Sequence, residues 1–258
     1  MLRFKNLGSG SAGNATVVES HCGSRVTRLL VDCGLGLRHL DARLALAGLQ
    51  AEQLDAIFIT HEHGDHVGCV SQLVRRERIP VWMSHGTHGA IGAPDLQGLL
   101  RLAQDGQTIE LEDLQLRPFT VPHDAREPLQ LRCSDGAVHL GIVTDLGHAT
   151  SHTAEQLSGC HALLLECNHD ADMLAASRYP TFLKQRVAGP LGHLSNVAAA
   201  ALAGELNHPG LKHVVAAHLS AQNNLPALAS AALAAALDRP VGDIGVAHAV
   251  HGTAWLQV

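Results

Sequence analysis

The run Thr60-His61-Glu62-His63-Gly64-Asp65-His66 constrains this chain more than any other feature. It sets three imidazoles and two carboxylates directly after the apolar Ala56-Ile57-Phe58-Ile59. The four apolar residues read as a short buried strand, which puts the polar cluster at a strand end. Imidazole nitrogen and carboxylate oxygen suit zinc, manganese or iron. In an H-x-H-x-D-H spacing the first two His aim at one ion and the Asp-His pair at a neighbour, so the spacing predicts two ions. Such a pair, about 3.5–4 Å apart, clamps the attacking and leaving oxygens of a phosphoryl or acyl substrate, which makes hydrolysis the expected chemistry. With 19 His in the chain, some would cluster on a solvated turn by composition alone. Ligand spacing at a strand end distinguishes this cluster from that case.

Two ions need more donors than one loop supplies, and the same layout of apolar run then ligand recurs. The segment 116–122 leads into His123-Asp124, 138–144 into Asp145, and Val214-Val215-Ala216-Ala217 into His218. Leu29-Leu30-Val31 precedes Asp32, and Leu163-Leu164-Leu165 precedes Glu166-Cys167-Asn168-His169-Asp170. Ligands at the ends of many strands converge on one sheet edge, where layered α/β proteins place their sites.

In this order the motifs resemble those of the metallo-β-lactamase superfamily, with Asp32 as the first, His61 to His66 the second, and His123, Asp145 and His218 the third to fifth. Segment 7–15 (LGSGSAGNA), Thr144-Asp145-Leu146-Gly147, Glu166 to Asp170, Gly192-His193-Leu194-Ser195-Asn196 and His218-Leu219-Ser220 resemble, more narrowly, the bacterial YycJ/WalJ branch of 5′→3′ DNA exonucleases. The resemblance implies an αββα sandwich in which His61, His63 and His123 bind one divalent ion and Asp65, His66 and His218 the other. Asp145 would bridge the two, and Asp32 would hydrogen-bond within the metal loop. It also likens His169 and His193 to phosphate-contacting or proton-donating positions of nuclease relatives, with a ligand or structural role for His169 as the alternative. The implied catalytic set is Asp65, orienting the attacking water, with His169 and His193 near the leaving oxygen.

Composition bounds the rest. A chain of 258 residues with 46% hydrophobic content buries a full-sized core, and one domain over 1–258 is expected. No run of about 18 apolar residues is present to span a membrane, and the amino terminus lacks the order of a secretory signal, so a cytoplasmic protein is expected. Six scattered Cys without a C-x-x-C pair fit packing roles, including Cys33 and Cys167 beside site residues. The formal charge of −6 argues against a protein that coats nucleic acid but leaves a nuclease open, because bound divalent ions add local positive charge. Arg75-Arg76-Glu77-Arg78 and Lys184-Gln185-Arg186 read either as a rim tracking a phosphate backbone or as solvated helix faces. At 3% aromatics, stacked bases are not expected to carry the binding. Gly8, Gly10 and Gly13 match neither a P-loop nor a dinucleotide loop, so no nucleotide cofactor is expected; a turn beneath the metal site, with Asn14 capping it or facing substrate, suits them better.

The expected substrate is therefore DNA. Competing readings are a ribonuclease, a lactone or thioester hydrolase on the same fold, and a non-catalytic metal-binding protein. Oligomeric state is not specified by the sequence.

Along the chain, strands are predicted at 3–6, 15–19, 27–31, 80–83, 213–217 and 244–250, with four more across 108–144. Helices are predicted at 37–47, 68–76, 181–187, 196–206 and 225–237. This order suits a layered α/β fold of the αββα type, two sheets face to face with helices outside.

Overall fold

Successive side chains of a strand face opposite ways, so a strand buried throughout must serve two cores. In the computed structural model, which describes residues 1–258, Ala162-Leu163-Leu164-Leu165-Glu166 is such a strand. Ala162 and Leu164 join one apolar cluster, and Leu163 and Leu165 join another. That division sets the layering of the molecule.

The first sheet contains β1 (Leu2–Gly8), β2 (Ala15–Cys22), β3 (Arg25–Val31), β4 (Ala56–Phe58), β5 (Val81–Met83) and β6 (Leu100–Leu102), side by side in that order. The second contains β7 (Ile109–Leu111), β8 (Leu114–Thr120), β9 (Leu129–Ser134), β10 (His139–Val143), β11 (Ala162–Glu166), β12 (His213–Ala217) and β13 (Ile244–Val246), again in order. A last strand, β14 (Leu256–Gln257), runs antiparallel to β1. Between the sheets, Phe4, Val18, Leu29 and Phe58 meet Leu116, Leu131, Ile142 and Leu164. Each fully buried Leu or Phe of this kind contributes about 1.5–3 kcal/mol through removal from water.

Helices α1 (Leu37–Leu46), α2 (Gly64–Val67), α3 (Val70–Glu77) and α4 (His85–Ala90) follow strands of the first sheet. Helices α5 (Ser151–Leu157), α6 (Ala171–Ala176), α7 (Thr181–Val187), α8 (Asn196–Glu205) and α9 (Pro226–Leu237) belong to the second half of the chain. Leu40 and Leu44 of α1 and Leu73 and Val74 of α3 pack with Leu30 and Ile57 on the outer face of the first sheet. Leu202 of α8 and Leu233 and Leu237 of α9 cover Leu163, Leu165 and Val214 on the outer face of the second. The order is helix, sheet, sheet, helix, the αββα sandwich expected.

Several elements depart from expectation. The helix predicted over 68–76 begins at Val70 and is preceded by a separate short turn of helix at Gly64–Val67, because Gly68 at φ 23° carries the backbone past Cys33, whose carbonyl oxygen would lie 2.4 Å from any added Cβ. Helices α4 and α5 were not predicted, although Ser84 and Thr150 cap their amino termini by accepting from the Thr87 and Thr153 N–H groups. The final strand of the second sheet stops at Val246, since 247–252 turns back on itself through the His248–Gly252 bridge.

Candidate metal centre

Every predicted donor stands just beyond a strand. The loop after β4 supplies His61, His63, Asp65 and His66, β8 leads to His123, β10 to Asp145 and β12 to His218. These ends lie on one edge of the sandwich and contribute from both sheets. Asp32 and His218, which leave β3 and β12, both take left-handed backbone at φ 63° and 53°. Non-glycine residues seldom do, and such strain persists where surrounding contacts hold it.

The donors form adjoining sets. Nε2 of His61 is 3.0 Å and Nε2 of His123 is 3.3 Å from Nδ1 of His63. Asp65, His66 and His218 form a second set, as do His61, His66 and Asp145, each with ligand atoms within 4.8 Å of one another. Asp145 stands between them: Oδ2 is 3.0 Å from His66 Nε2, and Oδ1 is 3.1 Å from His218 Nδ1 and 3.8 Å from His123 Nε2.

Outer contacts fix which ring nitrogens face inward. Nδ1–H of His123 donates to the Gly192 carbonyl at 3.0 Å. Nδ1–H of His66 donates to Asp32 Oδ2 at 2.7 Å. Thr60 lies 3.0 Å from Asp32 and from His61 Nδ1. Its one hydroxyl proton goes to the carboxylate, so it accepts from the His61 Nδ1–H. The Nε2 lone pairs of His61, His66 and His123 are thereby left for a cation, the usual way a second layer of contacts orients imidazole ligands.

The electrostatics agree. Burial holds His61 well below the ordinary imidazole range and lowers His123, so both are neutral donors. At His66, burial opposes charge, but Asp145 and Asp32 outweigh it and raise the group to about 10. His218 is likewise raised against burial by Asp145, Asp65 and Glu166. Burial opposes ionisation of Asp145, yet His218 and His66 hold it well below the usual carboxylate range. This edge of the molecule concentrates buried negative charge that attracts positive charge. Asp145 Oδ2 is buried and makes no hydrogen bond. Convergent imidazole lone pairs beside such a carboxylate fit divalent cations.

One part of the centre, the role of Glu166, was missed by sequence reasoning. Glu166, fully buried at the end of β11, puts Oε1 2.7 Å from His193 Nδ1 and 3.2 Å from His218 Nδ1. Its Oε2 accepts from the backbone N–H groups of Leu146 and Leu194. The signal was present in a carboxylate following three leucines. Burial lowers His193, but Glu166 and Asp145 outweigh it and raise the imidazole above its ordinary value. The glycine-rich turn expected beneath the site is found there: Ser9 accepts from the backbone N–H of His218 at 2.7 Å, and Asn14 donates to the Asp65 carbonyl at 3.2 Å. The turn therefore braces the metal loop from beneath.

A cavity of about 380 Å³ opens at the donors, lined by His63, Asp65, Asp145, His193 and His218 and also by Tyr179, Leu183 and Arg186. His169 does not line it. That side chain, 3% exposed, borders a separate cavity with Leu174 and Lys184, and its backbone bridges to Ser195. Of the two basic runs, Arg186 adjoins the main cavity, whereas Arg76 of α3 is paired with Asp41 of α1. Cys33 and Cys167 are wholly buried in the outer cores.

The family model of the metallo-β-lactamase superfamily matches residues 8–160. Exodeoxyribonuclease YycJ of Bacillus anthracis is 32% identical over 257 residues, 98% of this chain and 95% of that protein. The chain belongs to the metallo-β-lactamase superfamily. Exodeoxyribonuclease WalJ of Streptococcus pneumoniae is 31% identical over 256 residues, 97% of this metallo-β-lactamase chain and 94% of the relative. Among solved structures, the metallo-β-lactamase fold protein YhfI from Bacillus subtilis superposes with a TM-score of 0.76 at 18% identity, each chain covered in full. The family and these relatives place the metallo-β-lactamase chain among hydrolases, in the YycJ-like branch. No helix is long and apolar enough to cross a membrane.

Proposed function

We propose that the protein is a metal-dependent phosphodiesterase that shortens DNA from the 5′ end with two divalent ions. The observation that carries this reading is the meeting of His61, His63 and His123 with Asp65, His66 and His218 around Asp145, beneath a cavity edged by Arg186 and His193. The two relatives called exodeoxyribonucleases, alike over nearly the full length of the chain, support DNA as substrate. His61, His63 and His123 would hold one ion and Asp65, His66 and His218 the other, with Asp145 placed to contribute to either. When bound, the ions supply Lewis acidity toward water and phosphoryl oxygen.

The remaining steps fall to the protein. Asp65, at the cavity floor, accepts a hydrogen bond from the attacking water and aims it at phosphorus. His193, whose pKa Glu166 raises and which lines the same cavity, donates its proton to the departing 3′ oxygen. Positive charge on that imidazole also offsets charge gathering on the phosphoryl oxygens. His169, outside the cavity, secures the loop carrying Ser195 instead of reacting.

The test is end-labelled 5′-phosphorylated DNA, single-stranded and duplex, beside RNA and a generic lactone, each with zinc, manganese or iron supplied. Release of mononucleotides from the 5′ end of DNA, lost in Asp65→Ala, is expected. Turnover of RNA or lactone alone replaces this reading with one of those chemistries, and inertness toward all four at full metal occupancy replaces it with a non-catalytic role.

A further inference from the structure

The aromatic residues of this chain are few, and their placement is uneven. Three of its four phenylalanines, Phe4, Phe58 and Phe119, are fully buried in the cores. The fourth, Phe182, is 70% exposed on α7, and the single tyrosine, Tyr179, lines the cavity over the metal donors. Helix α7 buries none of its own residues, so its apolar side chains do little for the fold. Leu183 and Arg186 of α7 and Tyr179, two residues before the helix begins, all line the cavity. Arg186 is fixed there: its Nε donates to Asp124 Oδ2 at 2.6 Å, and Asp124 is tied to Leu191 through its backbone N–H. The cavity is therefore lined both by the carboxylates and imidazoles of the donor set and by an aromatic, an aliphatic and a cationic side chain. Of the chemical groups such a lining would take, a nucleotide matches it, with its phosphate toward the donors and its flat base toward Tyr179.

We infer that the Tyr179–Arg186 wall is the subsite for the strand's terminal nucleotide, with Tyr179 stacking on its base and Arg186 on an adjoining phosphate. This rests on the nuclease reading. Base–aromatic stacking tolerates any base because each has a π face, so the subsite grips the strand end without selecting sequence. A cavity of about 380 Å³ is also narrow enough to take one nucleotide residue at a time.

The test compares kcat/KM for a 5′-phosphorylated DNA strand with that for the same strand carrying an abasic terminal nucleotide. The metal-loaded wild type, Tyr179→Ala and Tyr179→Phe are assayed side by side. The wild type is expected to favour the strand with the base by about 5- to 150-fold. That ratio collapses toward one in Tyr179→Ala and returns in Tyr179→Phe, a pattern that general damage to the fold does not produce. A wild type that cuts both strands at equal kcat/KM, or a ratio unchanged in Tyr179→Ala, overturns the subsite and leaves the nuclease reading standing. A wild type that cuts neither strand overturns the nuclease reading, and the subsite with it.

Discussion

Asp32 controls the ring of His66 from 34 residues away in sequence: its Oδ2 accepts the His66 Nδ1–H at 2.7 Å, while Thr60 relays the same carboxylate to His61. One buried side chain thereby sets the tautomer of a ligand in each of the two proposed ion sites. Asp32→Asn keeps the size but presents an amide that competes as donor. Metal affinity is expected to fall about 10- to 100-fold with the sheets intact. Titration against a chelator of known affinity, beside a circular dichroism spectrum, checks this; unchanged affinity means the carboxylate serves the backbone alone.

The Glu166–His193 pair makes a different prediction. If His193 delivers the leaving-group proton, His193→Ala lowers kcat on DNA by about 10²- to 10⁴-fold. A thymidine 5′-(4-nitrophenyl phosphate), whose phenolate needs no proton to depart, loses far less. Equal losses on both substrates would show that the residue binds instead of protonating.

Two glycines of the metal region separate space from conformation. A Cβ on Gly34 would lie 1.6 Å from the Asp65 carbonyl oxygen, whereas one on Gly64 meets nothing within 4 Å. Gly34→Ala must push the metal loop away from the end of β3, at a cost of about 3 kcal/mol or more and with loss of metal binding. Gly64→Ala is expected to change stability by less than about 1 kcal/mol. Urea unfolding of both variants, with metal content measured at each step, distinguishes them; similar losses contradict the close approach.

Glu19 tests the fold away from the centre. It is fully buried in β2 and bonded to Arg3, Arg28 and His21. Burial opposes its ionisation, but Arg28, His21 and Arg3 outweigh it and hold the carboxyl below its ordinary value. A depressed folded-state pKa adds stability that is present above the unfolded carboxylate pKa and disappears as pH falls through the folded one. Glu19→Gln should therefore cost about 2–3 kcal/mol at neutral pH, discounted for the partly exposed arginines. The gap to wild type should close in acid, below the usual carboxylate range. A gap that persists there assigns the loss to packing.

Much of this architecture was legible from residue order. The donors announced themselves because strand ends are marked by apolar runs, and His61 to His66 carries its own spacing. Strands that begin with alternation, such as Leu114–Thr120 with Leu114 and Leu116 buried and Gln115 and Arg117 exposed, were also readable. What escaped depends on distance through space. Nothing local to Glu166 says that His193 and His218 will close on it, and Ser9 reaches His218 across 209 positions. Helices α4 and α5 escaped because they are short and weakly apolar, leaving only their capping residues as signals.

The cation donors come from both sheets, His61 and His63 on a loop of one and His123, Asp145 and His218 on ends of the other. An ion among them acts as a rivet through two plates. Slippage of one plate against the other by an ångström or two would empty the hole while each plate kept its own weave. On heating, release of metal is therefore expected to run ahead of the melting of backbone structure, so the centre doubles as the molecule's gauge of alignment.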